Sequence, residues 1–155
     1  MIKATLVLAV LLTATPATAE EPASAGPLDL TRRIVASSGA AGEDSAGYVR
    51  IRNGSPVADE LLTVACACAG RVEFHRISRG PDRVTMDADP LWVVPGTGVL
   101  DVRPGSDLHF MLIGFDPATA VDGWVALTLT FRDAGTVQAD FALTGDSRAA
   151  WASFD

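Results

Sequence analysis

The sequence predicts an all-β sandwich, and three observations predict it. Short apolar or alternating runs recur from residue 28 onward, clusters of turn residues separate them at close intervals, and no stretch keeps a 3.6-residue apolar period over a helical length. The 155 residues suffice for one core of ordinary size and are too few for two.

In chain order, residues 1–19 read as an export signal. Lys3 gives the charged start, Ala4 to Leu12 is an apolar run, Pro16 breaks it, and Ala17-Thr18-Ala19 is an A-x-A cleavage pattern. The run is too short to span a bilayer, and Glu20 rather than Cys follows the expected cut, so stable membrane insertion and a lipid anchor at that position are not expected. A periplasmic location follows. Residues 20–27 (EEPASAGP) have the composition of a flexible lead-in.

The domain is expected over residues 28–144. Its first strand runs from Leu28 to Val35, its second from Gly47 to Arg52, and Asn53-Gly54-Ser55-Pro56 turns the chain into Leu61 to Ala67. Ala69-Gly70 precedes Val72 to Ile77, and Gly80-Pro81-Asp82 precedes Val84 to Met86. Leu91 to Val94, Val99 to Val102 and Leu108 to Phe115 follow, divided by Pro95-Gly96-Thr97-Gly98 and Pro104-Gly105-Ser106-Asp107. Trp124 to Phe131 and Val137 to Leu143 close the set around Asp133-Ala134-Gly135. The tail, residues 145–155, contains Trp151 and Phe154 without a placeable period.

Charge and residue inventory narrow the function. The formal charge is −7, and −8 after residue 19, because that segment holds the single lysine and no acid; nucleic acid is therefore a poor partner. A serine or cysteine hydrolase needs a positioned base, and Asp44-Ser45-Ala46-Gly47 lacks the leading glycine of a nucleophile elbow. A blue-copper carrier needs a Cys-His-Met loop, whereas Cys68 precedes His109 by 41 residues. An enzyme is not expected.

Beyond residue 19 the only histidines are His75 and His109 and the only methionines Met86 and Met111, in the order His75-x10-Met86-x22-His109-x-Met111. His109 and Met111 are two apart on an expected strand and so leave the same face. His75 and Met86 flank an expected hairpin whose midpoint falls between Gly80 and Pro81, which would set them directly opposite one another. Two imidazoles and two thioethers form a soft, neutral donor set suited to Cu(I); Zn prefers thiolate or carboxylate, and Mg or Ca needs oxygen. Taken singly, each residue also has an ordinary explanation, methionine as core filler and histidine as a hydrogen-bonded surface group.

These residues resemble the signature of periplasmic copper chaperones of the PCuAC type. Further segments carry the resemblance: Ala46-Gly47-Tyr48-Val49-Arg50-Ile51-Arg52-Asn53, Asp59-Glu60-Leu61-Leu62, Ala69-Gly70-Arg71-Val72-Glu73-Phe74-His75, Val99-Leu100-Asp101-Val102-Arg103-Pro104-Gly105, His109 to Phe115 and Leu127 to Gly135. The resemblance implies a cupredoxin-like Greek-key β-sandwich whose His75, Met86, His109 and Met111 bind Cu(I). It also implies delivery of that copper to an acceptor protein such as the binuclear copper site of cytochrome oxidase, beside a Sco-type protein, with the chaperone a monomer. A copper buffer without an acceptor, and a metal-free exported binding module, are the alternatives.

Departures from the family pattern are specific. The turn before His109 is one residue longer, Arg76 follows His75 where a neutral or acidic residue is usual, and a Met- and His-rich tail is absent. Phe74, Trp92 and Phe110 read as packing near the ligands, and Asp87, Asp89 and Asp107 as a solvated acidic rim. In a flat strand Cys66 and Cys68 would have Cα atoms about 6.6 Å apart, close to the upper limit for a bridge, so a disulfide there requires a turn or bulge. A structural pair is the favoured reading, and an accessory copper or redox role the alternative.

Overall fold

The computed structural model describes residues 22–154; the expected export signal lies outside the described residues. Eleven strands follow one another along the chain: β1 (Ala23–Ala25), β2 (Leu28–Ala36), β3 (Ser45–Asn53), β4 (Asp59–Ala65), β5 (Arg71–Arg79), β6 (Val84–Asp89), β7 (Trp92–Val94), β8 (Val99–Val102), β9 (Leu108–Ile113), β10 (Trp124–Phe131) and β11 (Gly135–Thr144). A helix, α1 (Ser147–Ala152), follows them. All ten expected strands are present.

The hydrogen-bonded order is β6-β5-β9-β3-β2-β11-β10-β4-β7, with β1 added to β2 and β8 to β3. This path curls on itself, because β4 comes back against β5 and β7 against β3 and β8. The result is a cupredoxin-like sandwich with one shared core. β11 runs parallel to β2, whereas its hairpin partner β10 is antiparallel. Alternation supplies the core: Val49 and Ile51 of β3, Leu127 and Leu129 of β10 and Phe141 of β11 all point inward and are buried.

Two segments behave differently from expectation. The lead-in read as flexible over 20–27 pairs with the domain from Ala23 onward: β1 forms a hairpin with β2 in which Ala25 opposes Leu28, and Gly26 takes the left-handed φ of +54° that the turn requires. The tail folds into α1 because Asp146 caps it, accepting from the Arg148 and Ala149 backbone N–H groups at 3.1 and 3.0 Å, and because Trp151 has a buried surface to cover.

Two buried polar residues fasten turns. Asn53 donates from Nδ2 to the Val57 carbonyl and accepts from Ser55 N–H, closing the β3–β4 turn. Asp59 accepts from the backbone N–H groups of Glu60, Asp133 and Ala134 at 2.7 to 3.0 Å, tying β4 to the β10–β11 turn. Burial alone would raise the Asp59 carboxyl, but these donors outweigh it and hold its pKa below the ordinary value.

Candidate metal centre

The centre is built on one face of three adjacent strands, β6, β5 and β9. In the β5–β9 ladder His75 is paired with His109, Glu73 with Met111 and Phe74 with Phe110. Side-chain alternation therefore sorts these residues: Phe74 and Phe110 go into the core, and His75, His109, Met111 and Glu73 share the other face. The two imidazole rings lie 5.6 Å apart between centroids at 78°, near enough for one ion to be reached by a nitrogen from each.

Aromatic packing fixes the backbone under the imidazoles. Phe74 stacks on Trp92 at 4.6 Å and Trp92 on Phe110 at 5.2 Å, so the residues adjoining both histidines are locked into one buried cluster. Gly47 on β3 makes room for it, since a Cβ there would stand 3.0 Å from Phe110 Cδ2 and 3.2 Å from Leu112 Cδ1. The expected packing role of the three aromatics describes their place in the fold.

Met86 needs a correction. It does not oppose His75; it opposes Ile77, and His75 opposes Ala88. The hairpin centre lies one residue later than expected because Pro81 favours the second position of a turn, where its fixed φ fits, over the third, where it would drive the preceding residue out of the helical region. Gly80 N–H donates to the Arg83 carbonyl at 2.9 Å across the resulting Gly80-Pro81-Asp82-Arg83 connection. Met86 stays on the histidine face as a diagonal neighbour of His75, still within the reach of a long side chain, with the small Ala88 beside it. It is half exposed on the edge strand, whereas His109 is only 6% exposed.

Glu73 joins the group, and reading ligand types alone missed it. Its Oε2 lies 2.9 Å from His75 Nε2, and Arg71 Nε donates to its Oε1 at 2.6 Å. The Arg71 hydrogen bond first, and the His75 hydrogen bond second, hold the Glu73 carboxyl below its ordinary pKa. A carboxylate can only accept, so Nε2 is the donor, and in the neutral ring Nδ1 is the nitrogen that keeps a lone pair. That Nδ1 is buried and has no hydrogen-bond partner. The sequence signal is the i, i+2 spacing of Arg71, Glu73 and His75, which puts all three on one strand face.

The remaining charged neighbours are engaged with other side chains. Arg76 alternates to the opposite side from His75, where its Nε meets Asp89 Oδ2 at 2.9 Å. Asp89 also accepts from Trp92 Nε1 at 3.0 Å, Asp87 accepts from Thr85, and Asp107 faces Arg79 at 3.4 Å. The longer turn before His109 stays attached to β5, with Ile77 N–H donating to the Asp107 carbonyl at 2.7 Å, so the His75–His109 register survives the extra residue.

His109 has its pKa lowered, first by burial and then by repulsion from His75, which favours the neutral imidazole that ligation requires. No group of three or more His, Cys, Asp or Glu able to hold a metal occurs among the described residues.

Cys66 and Cys68 form a disulfide across the turn that follows β4, with Cα atoms 5.0 Å apart. Cys68 is buried, and its carbonyl accepts from Asp116 N–H at the far end of β5 from His75.

A family model described as "Putative lipoprotein LpqE-like" matches residues 13–143. Among solved structures, the copper-bound PCuAC domain from PmoF2 superposes with a TM-score of 0.67 at 20% identity, covering 81% of this chain and 99% of that one. The apo PCuAC domain from PmoF1 gives 0.65 at 19% identity, covering 81% and 100%. Apo-DR1885 from Deinococcus radiodurans gives 0.59 at 22% identity, covering 94% and 97%. These likenesses establish the expected fold. No curated protein matches the chain significantly.

Proposed function

The chain belongs to the LpqE-like family, and from that premise we propose that it is an exported, non-enzymatic copper chaperone that holds one Cu(I) through His75, Met86, His109 and Met111. The observation that carries this reading is the cross-strand pairing of His75 with His109, with Met111 and Met86 on the same face. The solved relative that shares the fold and is described as copper-bound supports it. Residues 1–19 serve as the export signal, and the chain works as a monomer in the periplasm.

The donor set explains the cargo. Imidazole and thioether are neutral, so a monovalent ion bound by four of them keeps its single charge, and soft sulfur favours Cu(I) over harder ions. The gradient of exposure explains release. His109 is buried, His75 is held by Glu73, and Met86 is half exposed on an edge strand. Met86 is thus the ligand an incoming donor displaces first, while the histidines keep the ion until a new bond forms. The acceptor is a copper protein such as the binuclear site of cytochrome oxidase, loaded alone or beside a Sco-type protein.

An anaerobic Cu(I) competition titration of the purified protein tests the reading. One ion per chain is expected, with binding weakened by more than about tenfold in His109→Ala and measurably in Met86→Ala. Wild-type affinity in both variants rejects the ligand set. Transfer of the ion to a metal-free acceptor domain, followed by its absorption spectrum, separates a chaperone from a buffer.

A further inference from the structure

The Cys66–Cys68 disulfide joins residues only two apart, in the turn between β4 and β5, at the end of β5 far from His75. A cross-link stabilises a fold by closing loops of the unfolded chain, and a segment this short stands at the low end of that scale. The turn has other fastenings. Asp116 N–H donates to the Cys68 carbonyl at 2.8 Å and Gly70 N–H to the Ile113 carbonyl at 2.9 Å, so backbone bonds to the end of β9 and the segment after it hold the turn without help from sulfur. Folding and oxidation form a closed thermodynamic cycle. A bridge that adds little to the fold is therefore held little by the fold, and ordinary thiols can open it.

The two sulfurs are unequal. Cys68 is 3% exposed and belongs to the core, whereas Cys66 is only partly buried and is flanked by Ala65 and Ala67, exposed residues whose methyl side chains leave room for another chain to approach. The Cys68 N–H donates to Cys66 Sγ at 3.0 Å. An amide donor stabilises a sulfur that carries negative charge more than a neutral one, so this bond favours charge on Cys66 Sγ; burial opposes charge on the sulfur of Cys68.

We propose that Cys66–Cys68 is a thiol–disulfide exchange site that takes two electrons from a protein dithiol, with Cys66 as the point of attack. A partner thiolate attacks Cys66 Sγ, forming a mixed disulfide and breaking the Cys66–Cys68 bond. The Cys68 sulfur leaves with the bonding pair and takes a proton from water. The partner's second thiolate then attacks the partner sulfur of the mixed disulfide, and Cys66 leaves with that bonding pair as a thiolate facing the Cys68 N–H. The partner dithiol is oxidised to a disulfide, and this pair is reduced to one thiol and one thiolate. In the reverse direction the Cys66 thiolate is the nucleophile and Cys68 the resolving thiol. The exchange does not rest on the copper reading.

Equilibration of the purified full chain with reduced and oxidised glutathione, followed by alkylation and mass measurement, tests the site. Structural disulfides resist this thiol pool, whereas here millimolar reduced glutathione is expected to open about half or more of the bridges while the β-sheet circular dichroism stays unchanged. A reduced two-cysteine peptide is expected to become its disulfide in step with the bridges it opens. Cys68→Ser keeps the backbone N–H at that position and leaves Cys66 as a lone thiol, and Cys66→Ser leaves Cys68. With oxidised glutathione as the probe, the mixed disulfide should form about tenfold or more faster on Cys66 than on Cys68. Equal rates at the two sulfurs overturn the proposal. So does a wild-type bridge that stays closed in millimolar glutathione or opens only as the sheet unfolds, a result that needs no variant to fold.

Discussion

Glu73 grips the ring of His75 from its Nε2 side at 2.9 Å, which leaves the buried Nδ1 as the nitrogen able to meet an ion. Partners of this kind fix the tautomer and aim of a ligating imidazole, and their loss typically lowers metal affinity by about 10–100-fold. Glu73→Gln keeps the shape but replaces the charged acceptor, so a fall in Cu(I) affinity of about tenfold is expected, larger in Glu73→Ala. Nitrogen-15 spectra of the metal-free wild type should show His75 as the Nε2–H tautomer. An Nδ1–H tautomer, together with unchanged affinity in both variants, would remove Glu73 from the centre.

The depressed pKa of His109 sets the acid behaviour of the metal-free protein. Folding places this imidazole in a site where burial first, and His75 second, disfavour the proton. The unfolded chain, with its histidine near the ordinary value of about 6.5, binds that proton at a higher pH than the folded chain. Stability from this group is therefore complete above about pH 6.5 and is lost as pH falls through the lowered folded value. Glu73 and Asp59, both lowered, add a separate loss below their ordinary values of 4.5 and 3.8. Thermal midpoints of the metal-free protein should decline between about pH 7 and about pH 5, and His109→Gln should flatten that slope. A slope unchanged in His109→Gln would assign the effect to another group.

On the proposed ligand set the disulfide bears on stability rather than on copper. It closes a three-residue segment, so by the loop-entropy argument it stabilises the fold by only about 1.5 kcal/mol. Its turn lies at the Arg71 end of β5, where Asp116 N–H meets the Cys68 carbonyl, well along the strand from His75. Cys66→Ser with Cys68→Ser is expected to keep the Cu(I) affinity and to lose a small amount of stability, read by denaturant unfolding and by X-ray absorption of the loaded protein. Loss of a sulfur shell from the absorption spectrum with a large drop in affinity would make a cysteine a ligand.

Much of the fold was legible because it rests on a period of two. Runs such as Trp124–Phe131 alternate inward and outward so regularly that their strand character needs no tertiary information. What stayed hidden was short or depended on a neighbour. Ala23–Ala25 has no β-branched or aromatic residue and becomes a strand only by borrowing the edge of β2. Ser147–Ala152 is less than two turns long, too short for a visible helical period, and is held by its Asp146 cap and by Trp151. At the metal face the four residue types were readable from the sequence and the pairing of His75 with His109 was not, because strand neighbours distant in sequence are set by topology. The hairpin centre moved by one residue, and the partner of Met86 by two, for a local reason, the turn position of Pro81.

Metal selectivity offers the sharpest separation between a copper carrier and a general metal binder. Zn(II) is satisfied by thiolate, imidazole or carboxylate and gains little from thioether sulfur. Both cysteines are tied up in a disulfide, no cluster of three His, Cys, Asp or Glu able to hold a metal occurs among the described residues, and the Glu73 carboxylate is already engaged by Arg71 and His75, so two imidazoles are what the face offers Zn(II). On the proposed ligand set Cu(I) gains from all four donors. Protons compete with either metal only at the imidazoles, since thioethers do not protonate near neutral pH. Cu(I) affinity should therefore fall as the solution is acidified below about pH 6.5, with the buried His109 holding out to lower pH than an ordinary histidine. Met111→Ala should narrow the gap between the metals by weakening Cu(I) while leaving Zn(II) as poor as before. Paired competition titrations with Cu(I) and Zn(II) at several pH values make the measurement. Zinc bound as tightly as copper, or copper affinity indifferent to acid, would mean that groups other than these two imidazoles and two thioethers hold the ion.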